Sequence, residues 1–269
     1  MEKTKYLIGD VANLMGLSRD TLRYYEKRGI LNSQKGENGY RYYTDQDISR
    51  LVGILYHRKM NISLEDMENL WSDNTLPQLS GLMDSRLKEE KEAIRKHEQT
   101  IARLRLTQSD CQRLSMHINE VLFKDFPSAY IIVPETDMQQ STNLWFQLSQ
   151  SYPGLDMMYT FDEYTYEKPA DGLQMNYQNT QLILYKSLAE YVDYNILDGA
   201  TPVTRPVRCI CSFCTSASRT PGTESLLPMF TWAREQGVTL SDKIYSTFAF
   251  QGIQDGKHTY YLEIYIPVG

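Results

Sequence analysis

The sequence is poor in the residues that build disulfide frameworks and metal centres. Only four of its 269 residues are cysteine and four are histidine. No apolar run approaches the roughly 20 residues that a membrane-spanning helix needs, and no signal peptide follows Met1. Sparse cysteine use without an export signal indicates a reducing compartment. We therefore expect a cytoplasmic protein with no membrane partner.

Catalytic motifs are also missing. The chain has no Gly-x-Ser-x-Gly elbow, no glycine-rich phosphate loop and no His-Glu-x-x-His pair. We therefore predict that it is not an enzyme and holds no cofactor. One catalytic alternative stays open, because a carboxylate in an aromatic cavity can also hydrolyse strained substrates.

Charge is distributed unevenly along the chain. Residues 1–60 hold 11 basic and 7 acidic side chains, a net of +4, whereas the whole chain has a net charge of −6. A basic head on an acidic body is typical of a nucleic-acid-binding module joined to a second domain. The length allows more than one core, and we predict domains at residues 1–76, 77–120 and 121–269.

The first 30 residues predict two short helices joined by a turn. Apolar residues recur at helical spacing from Ile8 to Met15, and Gly16 ends that segment. Ser18 is a good N-cap for a second helix that ends near Arg28. This is the helix-turn-helix arrangement. The second helix carries a basic stripe suited to a DNA major groove, formed by Arg19, Arg23 and Lys27.

A hairpin is predicted beside this helix. The segment Gly36-Glu-Asn-Gly39 contains an Asn-Gly turn signal, and the aromatic strand Tyr40 to Tyr43 follows it. Alternation places Arg41 and Tyr43 on one face of that strand. Two further helices begin near Thr44 and Ser63. The sequence therefore predicts a winged helix-turn-helix.

Two motifs in this head make a family resemblance specific. The segments Leu22–Glu26, read LRYYE, and Gly39–Tyr43, read GYRYY, resemble the DNA-binding domain of the MerR family of transcription regulators over residues 5–75. The resemblance implies double-stranded promoter DNA and RNA polymerase holoenzyme as partners, at the nucleoid. The DNA contacts that it implies are Arg23, Tyr24, Tyr25, Arg41 and Tyr43, with Arg58 in a second wing.

The middle of the chain predicts a long helix. No proline or glycine follows Gly81 before Glu120, and apolar residues repeat every seven positions through Leu87, Ile94 and Ile101. Such a narrow stripe needs a partner to bury it. A partner within the chain is possible, but the MerR resemblance implies an antiparallel coiled coil in a homodimer.

Residues 121–269 predict a mostly antiparallel α+β domain that is rich in tyrosine, with 13 of the 20 tyrosines. Its predicted strands are Ala129–Val133, Met157–Tyr166, Thr180–Tyr185, Val207–Phe213, Ile244–Gln251 and Thr259–Val268. Its predicted helices are Thr142–Gln150, Ser225–Glu235 and Leu188–Tyr194. Together with the head, this half resembles the gyrase-inhibitor-like effector domain of multidrug-sensing regulators.

The last strand carries the candidate ligand-binding acid. Alternation places Glu263 between Tyr261 and Tyr265 on one face, where a carboxylate among aromatic rings suits an organic cation. The resemblance implies the same role for Glu263. A solvent-facing glutamate on an edge strand is the alternative. The other aromatic residues expected around the ligand are Trp145, Tyr159, Phe161, Tyr164, Tyr166 and Phe248.

Together these features predict a ligand-responsive, dimeric transcription activator. It would bind a palindromic promoter, distort the spacer DNA and sense hydrophobic, cationic compounds. A drug-sequestering protein is one alternative. A metal sensor is another, although only Cys209, Cys211 and Cys214 cluster in the sequence and a tetrahedral site takes four ligands, so no metal site is predicted.

Overall fold

The computed structural model describes residues 5–36, 39–72, 76–167, 173–192, 197 and 201–269, without the side chains of residues 70–72. These residues form an α+β chain, as predicted. The chain divides into two compact units, residues 1–94 and 95–269, and the predicted three-domain division stays a prediction. No helix within the described ranges is both long and apolar enough to cross a lipid bilayer.

The first unit is a winged helix-turn-helix, which confirms the predicted fold. Its three-stranded sheet has the order β1-β3-β2, and its pairings are antiparallel. The elements are β1 (Tyr6–Leu7), α1 (Ile8–Met15), α2 (Arg19–Lys27), β2 (Gln34–Lys35), β3 (Arg41–Tyr43), α3 (Asp45–Arg58) and α4 (Leu64–Ser72). Residues 37–38 of the predicted hairpin turn lie outside the described residues.

Local sequence signals set the boundaries of these helices. Gly16 takes a left-handed φ of 65° after α1, a conformation that glycine adopts without steric cost. Ser18 Oγ accepts a 3.0 Å hydrogen bond from the Thr21 amide and so caps α2. Thr44 and Asp47 form a reciprocal capping box at the start of α3. The turn between α1 and α2 therefore follows from the sequence itself.

Helix α5 (Leu76–His117) is longer than predicted at its N-terminal end and shorter at its C-terminal end. The helix begins at Leu76, five residues before Gly81. Pro77 does not prevent this, because proline is tolerated in the first turn of a helix. Beyond its end, Asn119 takes a left-handed φ of 64°. Gly81 lies inside the helix, a position that costs stability without forbidding helical backbone.

Opposite faces of α5 have different environments. One face, represented by Gln99, Ala102, Asp110 and Leu114, is buried within the second unit. The predicted heptad residues Leu87, Ile94 and Ile101 lie on the other face and are between 46% and 57% exposed, and Leu104 near them is 66% exposed. Helical spacing of about 100° per residue explains this separation. The heptad stripe is therefore not buried within the described part of its own chain.

The second unit is built on one seven-stranded sheet with the order β4-β8-β10-β9-β6-β7-β5, in which each neighbouring pair is antiparallel. The strands are β4 (Val121–Asp125), β5 (Ala129–Thr136), β6 (Tyr159–Glu167), β7 (Gln174–Tyr185), β8 (Arg208–Ser216), β9 (Lys243–Gln254) and β10 (Lys257–Pro267). The remaining helices are α6 (Met138–Ser151) and α7 (Thr223–Glu235).

Several predicted boundaries in this unit are wrong. Strand β4 is missing from the predicted strands, and β7 begins at Gln174, six residues before the predicted start at Thr180. Most of the additional residues are Asn or Gln, so the sequence pattern there does not predict a strand. Met157 belongs to a short 3-10 turn ahead of β6. The predicted helix Leu188–Tyr194 is a 3-10 turn over Lys186–Tyr191, and residues 193–194 lie outside the described residues.

Strand β10 is an interior strand of the sheet, and its alternate side chains pack on the two opposite faces of the sheet. Leu262, Ile264 and Ile266 pack in a cluster with residues of α7, as the alternation predicts. Tyr265 packs on the other side in a cluster that includes Leu114 of α5. Glu263 shares that second face and pairs with β8 and β9 neighbours on either side, so it is not on an edge strand.

Candidate functional site

The outer face of α2 carries the predicted basic stripe. Arg19, Arg23 and Lys27 are all exposed, and Tyr24 beside them is 47% exposed. Arg23 Nη1 lies 3.0 Å from Asp20 Oδ1, but both side chains are largely in water. An exposed ion pair of this kind contributes little stability, so Arg23 can exchange Asp20 for a phosphate at small cost.

A groove runs between α2 and the hairpin that forms the wing. Four basic side chains line it, together with Glu26: Arg23, Lys27, Lys35 and Arg41. Arg41 Nη1 pairs with Glu26 Oε2 at 3.2 Å, so the positive potential comes mainly from the other three. A concave, net-positive surface attracts the phosphate backbone of nucleic acid.

Tyr25 and Tyr43 are corrections to the predicted DNA contacts. Tyr43 is 0% exposed and Tyr25 is 6% exposed, and both belong to the core of the first unit. The Tyr43 hydroxyl donates a 2.8 Å hydrogen bond to Glu26 Oε1. Burial, together with the Glu26 carboxylate, raises the pKa of Tyr43 well above its ordinary value. Tyr43 therefore joins the wing strand to α2, and Tyr25 packs in the core beneath α2.

Arg58 lies at the end of α3, ahead of the turn expected to form a second wing. Its side chain is exposed, and Nη1 donates a 3.1 Å hydrogen bond to the carbonyl oxygen of Ile62. Asn61 in this turn has a left-handed φ of 59°. The turn is therefore closed by Arg58, whose guanidinium still reaches solvent.

Glu263 is the centre of a buried polar cluster in the second unit. It is only 1% exposed. Its Oε1 accepts from Lys124 Nζ and from the hydroxyl of Tyr265, and its Oε2 lies 3.7 Å from Arg113 Nη2. The alternative of a solvent-facing glutamate is therefore wrong.

Lys124 reaches Glu263 from strand β4. Its Nζ lies 5.3 Å from the ring centroid of Phe213 and 5.2 Å from that of Tyr265. Both distances are within the range of cation–π attraction. The Lys124 ammonium therefore contacts the Glu263 carboxylate and lies near the rings of Phe213 and Tyr265 at the same time.

A second carboxylate belongs to the same cluster. Asp110 of α5 pairs with Arg113 and accepts a 2.8 Å hydrogen bond from the Tyr159 hydroxyl. Burial raises the pKa of Asp110. Burial alone would lower the pKa of Arg113, but Glu263 and Asp110 outweigh it and raise that pKa. Among the described residues, the cluster pairs two carboxylates with two cations.

The neighbouring hydroxyls and thiol add no charge to this cluster. Burial raises the pKa of Tyr159, Tyr185, Tyr265 and Cys211, so each stays protonated at neutral pH. Tyr185 stacks on Tyr159 with ring centroids 4.5 Å apart. The uncharged groups therefore surround the four charged side chains of the cluster, which are Glu263, Asp110, Arg113 and Lys124.

A cavity of about 480 Å³ opens next to this cluster. Asp110 and Tyr159 belong to both, so the cavity and the cluster share a wall. Of the predicted ligand-binding residues, the cavity is lined by Trp145, Tyr159 and Phe248. The lining mixes aromatic and aliphatic side chains with polar and charged ones, among them Asp110, Asp156 and Arg219. A concave site that combines apolar surface with polar groups is typical of small-molecule binding.

The remaining predicted residues do not all gather at one place. Phe161 and Tyr265 pack around Phe126, with ring centroids 5.2 and 5.3 Å from it, beside Glu263. Tyr261 is partly buried in the same layer. Tyr164 and Tyr166 are corrections, because they pack in the cluster against α7, on the other side of the sheet. Alternation along β6 separates them from Tyr159 and Phe161.

Sequence reasoning missed Lys124, Asp110 and Arg113. The spacing of Asp110 and Arg113 on the face of α5 away from the heptad stripe was a usable signal for the last two. Lys124 gave none, because its strand was not predicted. The chain brings it to Glu263 by pairing β4 with β8, across 139 residues of sequence.

The four cysteines do not all lie at one place in the fold. Cys209 and Cys211 pack on the Glu263 side of the sheet, Cys214 packs on the α7 side, and Cys111 is exposed on α5. Burial raises the pKa of Cys209 to about 11, which keeps the thiol protonated, whereas metals bind thiolates. Within the described ranges, no three or more His, Cys, Asp or Glu side chains are grouped so as to hold a metal ion.

Comparison with known proteins agrees with this geometry. Residues 6–73 match the model of the MerR HTH family regulatory proteins. The HTH-type transcriptional regulator ZntR of Escherichia coli K12 is 33% identical over 117 residues, which cover 41% of this chain and 78% of ZntR. The HTH-type transcriptional activator TipA of Streptomyces coelicolor is 35% identical over 69 residues, 25% of this chain and 27% of TipA.

A solved structure, of an EcmrR–DNA complex determined by cryo-electron microscopy, aligns with 98% of this chain and 99% of its own at 17% identity and a TM-score of 0.37. The winged helix-turn-helix and its basic helix define a transcription regulator that binds DNA. The chain belongs to the MerR family. Members of this family are regulators and not enzymes.

Proposed function

We propose that the chain is a dimeric transcription activator that binds a palindromic promoter and responds to hydrophobic cations. The exposed stripe of Arg19, Arg23 and Lys27 on α2 supports the DNA-binding step. Arg41 and Arg58 supply further contacts from the wing and from the end of α3. Contacts to phosphates position such a head on the duplex, whereas contacts to base edges select the sequence.

The exposed heptad face of α5 supports a homodimer. Leu87, Ile94 and Ile101 lie on the helix face opposite the one that packs within the second unit. We infer that a second copy of α5 covers this face, because a repeat of seven residues is complementary to another helix with the same repeat. A two-fold dimer then presents two α2 helices to two half-sites.

The effector site is the Glu263 cluster with the cavity beside it. One observation carries this proposal: a primary ammonium, that of Lys124, already lies against Glu263 and over two aromatic rings. A lipophilic cation needs the same three partners. The cavity lined by Trp145 and Phe248 accommodates the apolar part of such a ligand.

Activation requires that the ligand distinguish two shapes of the dimer. A ligand with equal affinity for both shapes would change nothing, so its binding must favour the shape that bends and untwists the promoter spacer. RNA polymerase holoenzyme then engages the two promoter elements that lie on either side of the spacer. Helix α5 suits this coupling, because it carries Asp110 on one face and the heptad stripe on the other.

Calorimetric titration tests the ligand step. Glu263→Gln removes a charge-assisted contact worth roughly 1.5–3 kcal/mol, so affinity for a lipophilic cation should fall about tenfold or more. Glu235→Gln, an exposed change on α7, is the matched control and should have no effect. Equal affinity in wild type and Glu263→Gln would remove Glu263 from the site.

Transcription in vitro tests the regulatory step. Purified polymerase and promoter DNA should give more transcript when the protein and ligand are both present than with either alone. A protein that binds DNA and ligand without changing transcript levels would be a drug-sequestering protein instead.

A further inference from the structure

We propose that Lys124 is a tethered cation that occupies the ligand position at Glu263, so that a cationic effector binds only when it displaces this lysine. The inference deepens the proposed effector function and rests on it. It identifies a specificity-determining residue that the fold brings from a distant strand.

The contacts of Lys124 match those that a cationic ligand would make. Its Nζ pairs with Glu263 Oε1 and lies over the rings of Phe213 and Tyr265. These are the most favourable partners that the cluster offers to a cation. A ligand that used the same carboxylate and ring faces would therefore occupy the same space as the ammonium.

Charge balance makes the competition obligatory. Among the described residues, Glu263 and Asp110 face Arg113 and Lys124, which leaves the cluster neutral. A further cation would place three positive charges against two carboxylates that are almost completely buried. An uncompensated buried charge is strongly unfavourable, so one resident cation has to leave.

Lys124 is the cation that can leave. Arg113 contacts both carboxylates, and its position on α5 is fixed by helix packing. Lys124 comes from β4, the strand at the edge of the sheet, and its side chain is 26% exposed. A lysine has a long flexible stem, and rotation about it moves the ammonium into water without disturbing the backbone.

The proposal predicts how the site selects ligands. The apparent dissociation constant equals the intrinsic constant divided by the fraction of molecules in which Lys124 has left the site. Weakly binding cations therefore fail to displace the lysine. A cation has to combine charge with enough apolar surface to fill the adjacent cavity, which selects large hydrophobic cations over small hydrophilic ones.

Titration of the 269-residue chain with tetraphenylphosphonium tests the competition. Lys124→Met should bind this probe about tenfold more tightly than wild type, because the competitor is removed. Lys124→Arg keeps a tethered cation and should stay close to wild type. Lys186→Met is the matched control, since Lys186 also lies over an aromatic ring, that of Tyr130, but does not pair with Glu263.

A double-mutant cycle separates competition from a general change in the pocket. The gain in ligand affinity from Lys124→Met should vanish in a Glu263→Gln background, because Lys124 and the ligand then no longer compete for a carboxylate at position 263. Correspondingly, Glu263→Gln should weaken binding more in the Lys124→Met background than in wild type. Thermal unfolding of each variant confirms that it is folded, and Lys124→Gln, which keeps a hydrogen-bond donor, replaces Lys124→Met if the latter is not.

The outcomes distinguish the two proposals. Equal or weaker binding in Lys124→Met, with Glu263→Gln still weakening binding, would overturn the tethered cation and leave the cation site intact. No binding by wild type or any variant would overturn the cation site itself and the competition with it. Binding by Lys124→Met alone would support both.

Discussion

The hydroxyl of Tyr43 donates a 2.8 Å hydrogen bond to the carboxylate of Glu26 and so joins the wing strand β3 to helix α2. Arg41, two residues earlier on the same strand face, pairs with the other oxygen of that carboxylate. Glu26 is the only acidic side chain among the residues that line the described groove between α2 and the wing. Glu26 therefore links α2 to the wing through two residues of β3, in addition to the core packing that the two elements share.

We predict that Tyr43→Phe loosens this connection without unfolding the head. The loss of one buried hydrogen bond costs about 1–2 kcal/mol. Hydrogen exchange measured by mass spectrometry should show faster exchange in α2 and β3, and DNA affinity should fall. Tyr56→Phe, at an exposed position on α3, should change neither. Unchanged exchange in Tyr43→Phe would mean that the hydroxyl does not hold the wing.

Arg23 should contribute to DNA binding through phosphate charge. Arg23→Ala is expected to weaken binding to all duplexes by a similar factor and to reduce the slope of log K against log salt by about one. Fluorescence anisotropy at several salt concentrations measures both quantities. Arg234→Ala, an exposed arginine on α7, is the control. If Arg23→Ala relaxed preference for one base pair only, Arg23 would read a base instead.

The face of α5 that carries Ile94 should form the dimer. Ile94→Asp is expected to convert the protein to a monomer and to abolish cooperative binding to a two-half-site duplex, because a buried unpaired charge destabilises the interface. Sedimentation equilibrium measures the association state. Lys96→Asp changes an exposed position roughly 200° away around the helix and should stay dimeric. A dimeric Ile94→Asp would place the interface elsewhere.

The ion pair between Arg103 and Asp156 should give the second unit a pH-dependent stability. The guanidinium lowers the pKa of Asp156 by hydrogen bonding, one of these bonds being 2.6 Å from Nη2 to Oδ1. Because the folded pKa lies below the unfolded one, the contribution is complete above the unfolded pKa and is lost as pH falls through the folded pKa.

Urea unfolding of Asp156→Asn tests this contribution. Both side chains are partly exposed, so we expect a loss of only about 0.5–1 kcal/mol at neutral pH. The difference between wild type and variant should shrink below about pH 4. Asp255→Asn is the control, since Asp255 is exposed and its left-handed backbone suits asparagine equally. A difference that was constant over this range would mean that charge does not stabilise the pair.

The parts of the fold that could be predicted are those with local signals. The α2 stripe through Arg23 and the alternation around Glu263 depend on residue spacing within one element, and the structure has both. Lys124 could not be assigned to the site, because its role depends on the pairing of β4 with β8. Tyr43 shares a strand face with Arg41 as predicted, but only packing against Glu26 and the core decides that the ring is buried.

The measurement that tests the central proposal most directly is selection of bound duplexes from a randomised pool by the 269-residue chain, followed by sedimentation of the selected complex. We predict an inverted repeat bound by two chains, with affinity that falls steeply as salt is raised. Recovery of no preferred sequence, or of a single asymmetric half-site bound by one chain, would contradict a dimeric regulator with two recognition helices at a fixed span.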